Sequence, residues 1–187
     1  MAKINFLNTK IDGLKIVLPF YSEDNRGFFM KAYEKQIFHE AGIDTDIVET
    51  FESFSKYGVV RGMHFQYGDT AQSKLVRVLS GEVYDVCVDL RPESNTFGQW
   101  VGEYLNDNNH KAFFIPKGFA HGFMVTSKAA LMSYTCSGSY SQGNEGGIFY
   151  RDSDINISWP LEAPQIIQSE RDSKLPSFKE VCKVIGR

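Results

Sequence analysis

The feature that most limits what this chain can fold into is its punctuation. Many short strand-like runs follow one another with turn residues between them, and no linker, repeat or low-complexity segment interrupts them. That pattern predicts an all-β sandwich or barrel. Residues 14–18 read as a strand closed by Pro19. Asp24-Asn25-Arg26-Gly27 is turn chemistry ahead of the aromatic run Phe28-Phe29-Met30. Residues 47–55, 58–66, 97–105, 112–115 and 131–136 read as further strands, and 155–159 as a short one closed by Pro160. Residues 74–79 and 83–90 read as the arms of a hairpin turning at Ser80-Gly81-Glu82. Tyr33, Ile37, Phe38 and Ala41 have helical spacing and Gly42 stops it; residues 177–184 read as a second helix.

A chain of 187 residues with 42% hydrophobic content suits one domain, 1–187, around one sizeable core. Its 20 basic and 23 acidic residues leave no basic excess for nucleic acid. The three cysteines are an odd set without CxxC spacing, and Cys87 and Cys136 read as buried free thiols. That fits a reducing, cytoplasmic setting. Residues 1–7 lack the apolar core of a secretory leader, and no run approaches a membrane span.

The densest chemistry lies in Arg61-Gly62-Met63-His64-Phe65-Gln66. Strand alternation puts Val59, Arg61, Met63 and Phe65 on one face, and Val60, Gly62, His64 and Gln66 on the other. Gly62 leaves room for a ligand or a neighbouring backbone. A lone strand histidine is commonly structural, so His64 alone does not identify a catalyst. On 83–90, Asp85, Cys87 and Asp89 share a face opposite Tyr84, Val86, Val88 and Leu90. Two carboxylates on one strand face could be functional, but nearby Arg77 and Arg91 favour a polar edge or a salt-bridged turn. Met132, Tyr134 and Cys136 share a face of 131–136. The run His64-Phe65-Gln66 offers one histidine and an amide, not a pair of metal ligands. With four histidines in all, a site of three or four metal ligands is not expected.

Several runs together resemble the dTDP-4-dehydrorhamnose 3,5-epimerase family. They are Asp24-Asn25-Arg26-Gly27-Phe28-Phe29, residues 58–66, Gln72-Ser73-Lys74-Leu75-Val76, residues 81–91, residues 115–123, Trp159-Pro160 and Ser169-Glu170-Arg171-Asp172. The resemblance implies a cupin-type jelly roll, a double-stranded β-helix with a few short helices. It also implies a homodimer with exchanged strands that needs no metal or cofactor, and a nucleotide-diphosphate-linked 4-keto-6-deoxy sugar as substrate. It assigns His64 as base with Asp172 as its carboxylate partner, Tyr134 as acid and Lys74 beside the ketone oxygen. Those roles suit the chemistry, since a 4-keto group acidifies the hydrogens at C3 and C5. Arg26 and Arg61 match phosphate- and nucleotide-binding positions, and guanidinium forks fit phosphate geometry. Phe29 lies in the Arg-Gly-Phe-Phe segment with which the family's subunits complete each other's pockets. Gln66 faces the same space as His64, and His121, Tyr140 and Glu145 also match pocket positions.

The chain departs from the family at Lys31 (commonly Glu), Glu49 (commonly Gln) and Phe51 (commonly Asn). Those changes alter what the pocket offers a base or sugar, and leave guanosine- or cytidine-linked substrates as alternatives to thymidine. Two other functions stand beside the epimerase: a 3,4-ketoisomerase of a similar sugar, and a non-catalytic sugar-nucleotide-binding cupin.

Overall fold

A computed structural model gives the architecture; it describes residues 3–43 and 46–186. Met1 and Ala2, at the start of the N-terminal stretch read above, and Arg187, at the end of the expected 1–187 span, lie outside the described residues. In chain order the strands are β1 (Asn5–Asn8), β2 (Lys15–Leu18), β3 (Phe20–Asp24), β4 (Gly27–Lys31), β5 (Glu49–Lys56), β6 (Val60–Gln66), β7 (Lys74–Ser80), β8 (Glu82–Asp89), β9 (Trp100–Asn106), β10 (Ala112–Ile115), β11 (Phe119–Val125), β12 (Ala129–Cys136) and β13 (Glu145–Gly147). The helices are α1 (Lys35–Glu40), α2 (Glu170–Ser173) and α3 (Phe178–Val184). Gly42, at φ +75°, ends the first helical segment with its N–H on the His39 carbonyl, as its sequence position predicts. Ser177 and Glu180 form a capping box that starts α3.

Two antiparallel sheets face each other. One runs β1-β2-β10-β7-β12-β5, the other β13-β6-β11-β8-β9, and β3 with β4 forms a separate two-stranded hairpin. The main core lies between the sheets, where Val76, Phe113, Met132 and Tyr134 meet Cys87, Leu105 and Phe123. Outside the first sheet, Phe38 of α1 covers Val17, Leu75 and Phe114. Outside the second, Val181 of α3 covers Met63, Phe65, Val86 and Val88. With both outer faces covered, the inner faces at one end of the sandwich are left to form a site. The expected jelly roll is the fold observed, and the face assignments on β8 and β12 hold.

Three sequence expectations fail. Residues 74–79 and 83–90 are not a hairpin: β7 pairs with β10 and β12, β8 with β11 and β9. The Ser80-Gly81 corner carries the chain from one sheet to the other. Gly81 sits at φ +82°, and a Cβ there would lie 2.0 Å from the Ala129 carbonyl, so the corner requires glycine. Residues 155–159 form no strand. Asn156 adopts φ +51° and its N–H bonds back to the Asp152 carbonyl, which curls the segment. Third, strict alternation fails in β6. His64 pairs with His121 but Arg61 pairs with Phe123, so three steps on β6 match two on β11. This bulge at Gly62 moves Arg61 onto the face of His64, away from Met63 and Phe65. Gly62, at φ +125°, brings the backbones together: a Cβ there would lie 2.6 Å from Gly122 Cα.

Candidate active site

The site grows from two sets of cross-strand rows, because residues directly opposite in adjacent strands project from the same face. On the six-stranded sheet, Phe51, Tyr134 and Val76 form one row and Glu49, Cys136 and Lys74 the next. On the five-stranded sheet, Asp85, Phe123 and Arg61 form one row and Cys87, His121 and His64 the next. The inner faces meet where the His121 ring stands edge-on to Tyr134, 6.1 Å between centroids. His64 thus comes from one wall and Tyr134 and Lys74 from the other.

His64 Nε2 lies 2.8 Å from Asp172 Oδ1, and Gly62 N–H donates to Asp172 Oδ2 at 3.2 Å. The bulge at Gly62 leaves that N–H for Asp172, and the N-cap bond from Asp172 N–H to Ser169 Oγ fixes the first turn of α2. Burial alone would raise the Asp172 carboxyl, but its bonds to His64 and Gly62 outweigh this and hold it below its ordinary value. An ionised carboxylate there fixes the imidazole tautomer with Nε2 protonated and leaves Nδ1 free as an acceptor. Lys74 is driven down by burial, which disfavours its ammonium, while Cys136, Cys87, Asp85 and Glu49 oppose the shift. Tyr134 is pushed well above the ordinary phenol value by burial, so it is held as a proton-bearing phenol.

A cleft of about 270 Å³ opens at this end, lined by Glu49, Phe51, His64, Gln66, Lys74, Tyr140 and Glu145 together with Gln72 and Arg171. Much of its polar lining shapes the 137–145 loop. Gln66 donates to the carbonyls of Thr70 and Ser139 and accepts from Ser141 N–H. Gln72 donates to the Gly138 carbonyl. Glu49 accepts from Tyr140 N–H at 2.8 Å. Glu145 pairs with Arg171 at 3.0 Å, and a hydrogen bond from the Tyr140 hydroxyl leads the lowering of its carboxyl. Neither Gln72 nor Arg171 was singled out as a site residue, although both lie inside the motif runs.

Other predicted residues lie elsewhere. Arg61 is exposed beside the cleft, its Nε on Ser55 Oγ at 2.9 Å. His121 is buried behind Tyr134, with Nε2 2.9 Å from both Asp85 oxygens. Asp85 therefore contradicts the salt-bridge expectation: its partner is His121, and burial raises its carboxyl despite that contact. Asp89 does meet the expectation, bonded to Arg91. Arg26 pairs with Asp24, Phe29 is exposed on the β3–β4 hairpin, and Lys31 pairs with Glu34; none of them lines the cleft of this chain. Among the described residues, no group of three or more His, Cys, Asp or Glu side chains is placed to hold a metal ion.

The cleft can hold a small polar ligand between the His64 imidazole of one sheet and the Lys74 amine of the other, with the buried Tyr134 phenol stacked against the cleft-lining Phe51. Such a site suits proton removal from one face of a carbon and return to the other. The family model described as dTDP-4-dehydrorhamnose 3,5-epimerase matches residues 8–180. The dTDP-4-dehydrorhamnose 3,5-epimerase of Methanothermobacter thermautotrophicus is 44% identical over 181 residues, covering 96% of this chain and 97% of that protein. The fold is similar to the Legionella pneumophila dTDP-6-deoxy-D-glucose-3,5-epimerase solved with dTDP-4-keto-L-rhamnose. The TM-score is 0.91 at 43% identity, covering 95% of this chain and 94% of that one. It is also similar to a 4-keto-6-deoxy sugar epimerase of novobiocin biosynthesis from Streptomyces spheroides. There the TM-score is 0.92 at 33% identity, covering 98% and 92% of the two chains.

Proposed function

The chain belongs to the dTDP-4-dehydrorhamnose 3,5-epimerase family, and from that premise we propose how its residues carry out the reaction. It is an epimerase of a nucleotide-diphosphate-linked 4-keto-6-deoxy sugar. The observation that carries the reading is the His64–Asp172 pair on one wall facing Tyr134 and Lys74 on the other. His64 Nδ1 takes the proton at C3 or C5, and Asp172 stabilises the imidazolium that results. The electrons pass to the C4 oxygen, where Lys74 supports the enolate charge. Tyr134 returns a proton from the opposite side, inverting the carbon.

The nucleotide is dTDP in this reading. The relatives act on dTDP sugars by name, and the departures at Glu49 and Phe51 have partners inside the protein: Tyr140 N–H and the Tyr134 ring. The enzyme works as a cytoplasmic homodimer. The β3–β4 hairpin stands apart as its own sheet with Phe28 and Phe29 exposed, and β5 is a sheet edge with Phe54 exposed. A second copy's Arg26, Phe29 and Lys31 reach the cleft through that hairpin. Cys87, Cys136 and Cys182 form no disulfide among the described residues, which suits a reducing compartment.

The test is turnover of a dTDP-linked 4-keto-6-deoxy sugar in D2O, with label located by NMR. Deuterium at C3 and C5 with inversion is the expected result. Label without inversion, or none at all, contradicts the reading; migration of the ketone instead would identify a 3,4-ketoisomerase.

A further inference from the structure

We propose that Phe51 is a positioning residue for proton delivery by Tyr134, an inference that rests on the acid role given to Tyr134 above. The two side chains are opposite each other in the β5–β12 ladder and stack face to face, with centroids 4.6 Å apart and planes 11° from parallel. Tyr134 is 6% exposed, whereas Phe51 is 42% exposed and lines the cleft. Phe51 therefore stands between the phenol ring and the cleft. On its other side Tyr134 meets the edge of His121, which Asp85 holds with both oxygens.

No strong acceptor holds the hydroxyl's proton. Met132 Sδ lies 3.6 Å away, and a thioether is a weak acceptor. The Ser53 hydroxyl beside it is a hydrogen-bonding neighbour that works against the upward push of burial, so it favours the phenol oxygen as acceptor rather than engaging its proton. A phenol held by a strong acceptor would have its proton already engaged. Here ring packing sets its direction instead, and the proton stays available. Phe51 supplies the larger, parallel contact of that packing, and its bulk keeps water from reprotonating the enolate in place of the phenol. Where the family commonly has Asn, this chain thus has an aromatic clamp.

The experiment compares Phe51→Ala, Phe51→Leu and Phe51→Tyr with the native protein in D2O, using a dTDP-linked 4-keto-6-deoxy sugar. Wash-in and inversion are read separately by NMR, and thermal melts confirm folding. In Phe51→Ala, the ratio of inversion to wash-in falls about threefold to tenfold, the worth of a stacked aromatic pair. Phe51→Leu falls between, and Phe51→Tyr restores the native ratio. An unchanged ratio in Phe51→Ala, or equal loss of wash-in and inversion, overturns the proposal. So does a Phe51→Tyr protein that behaves like Phe51→Ala. A native protein that neither exchanges nor inverts would overturn the epimerase reading itself, which separates the two failures.

Discussion

Two histidines stand side by side on the inner face of one sheet, each paired with an aspartate at nearly equal distances of 2.8 and 2.9 Å, and their surroundings set the pairs apart. The His64 side chain keeps 36% exposure, and Asp172 reaches it from a helix outside the sheet. The His121 side chain is 6% exposed and Asp85 is sealed, its two oxygens both on the same ring nitrogen. Hydrogen bonds outweigh burial at Asp172 and lower its carboxyl; burial outweighs the His121 contact at Asp85 and raises it. Access to the cleft therefore separates a pair fit to exchange protons with a ligand from a pair that braces the wall behind Tyr134.

The largest expected effect lies in the open pair. Asp172→Asn should lower turnover on the order of 10²–10⁴-fold, because an amide neither fixes the tautomer nor stabilises the imidazolium. Its melting temperature should barely move. Steady-state kinetics and a thermal melt check both, and a loss below tenfold would erase the contrast. The buried pair should give the reverse. Asp85→Ala strands His121 in the core, and breaking a buried pair costs roughly 3–5 kcal/mol, read by denaturant unfolding. A variant as stable as the native protein would show that the sealed pair is no brace.

Asp89, on the same strand as Asp85, sharpens the comparison through pH. Burial would raise its carboxyl, but Arg91, Ser94 and Thr96 hold it down at about 2. A carboxyl depressed in the folded state stabilises above its unfolded value and loses that contribution as pH falls through the folded one. Stability should thus drop by about 2 kcal/mol between roughly pH 4 and 2, with the slope flattened in Asp89→Asn. The smallest effect belongs to Glu145 at the cleft mouth. Glu145→Gln breaks an exposed pair with Arg171 and should change unfolding free energy by less than about 1 kcal/mol.

These pairings show what the sequence could and could not reveal. The faces of β8 and β12 and the helix stop at Gly42 follow from period and turn chemistry alone. The hairpin expectation failed because Ser80-Gly81-Glu82 looks the same whether a turn returns to its own sheet or crosses to the facing one. The bulge at Gly62 escaped because one unpaired residue leaves no mark in an alternating pattern, and it decides that Arg61 joins the face of His64. Asp85 lies near arginines in sequence, yet its partner His121 lies 36 residues away, across β8 and β11. The link from His64 to Asp172 spans 108 residues and was legible only through family resemblance.

The central claim is that the open pair moves the proton and the sealed pair does not. Solvent deuterium wash-in, measured at C3 and C5 by NMR for His64→Asn and His121→Asn in parallel, tests it most directly. His64→Asn should lose wash-in at both carbons on the order of 10²–10⁴-fold in a folded protein. His121→Asn should retain wash-in within about tenfold, at lower stability. Comparable loss of wash-in in the two variants, or near-native exchange in His64→Asn, would contradict the account.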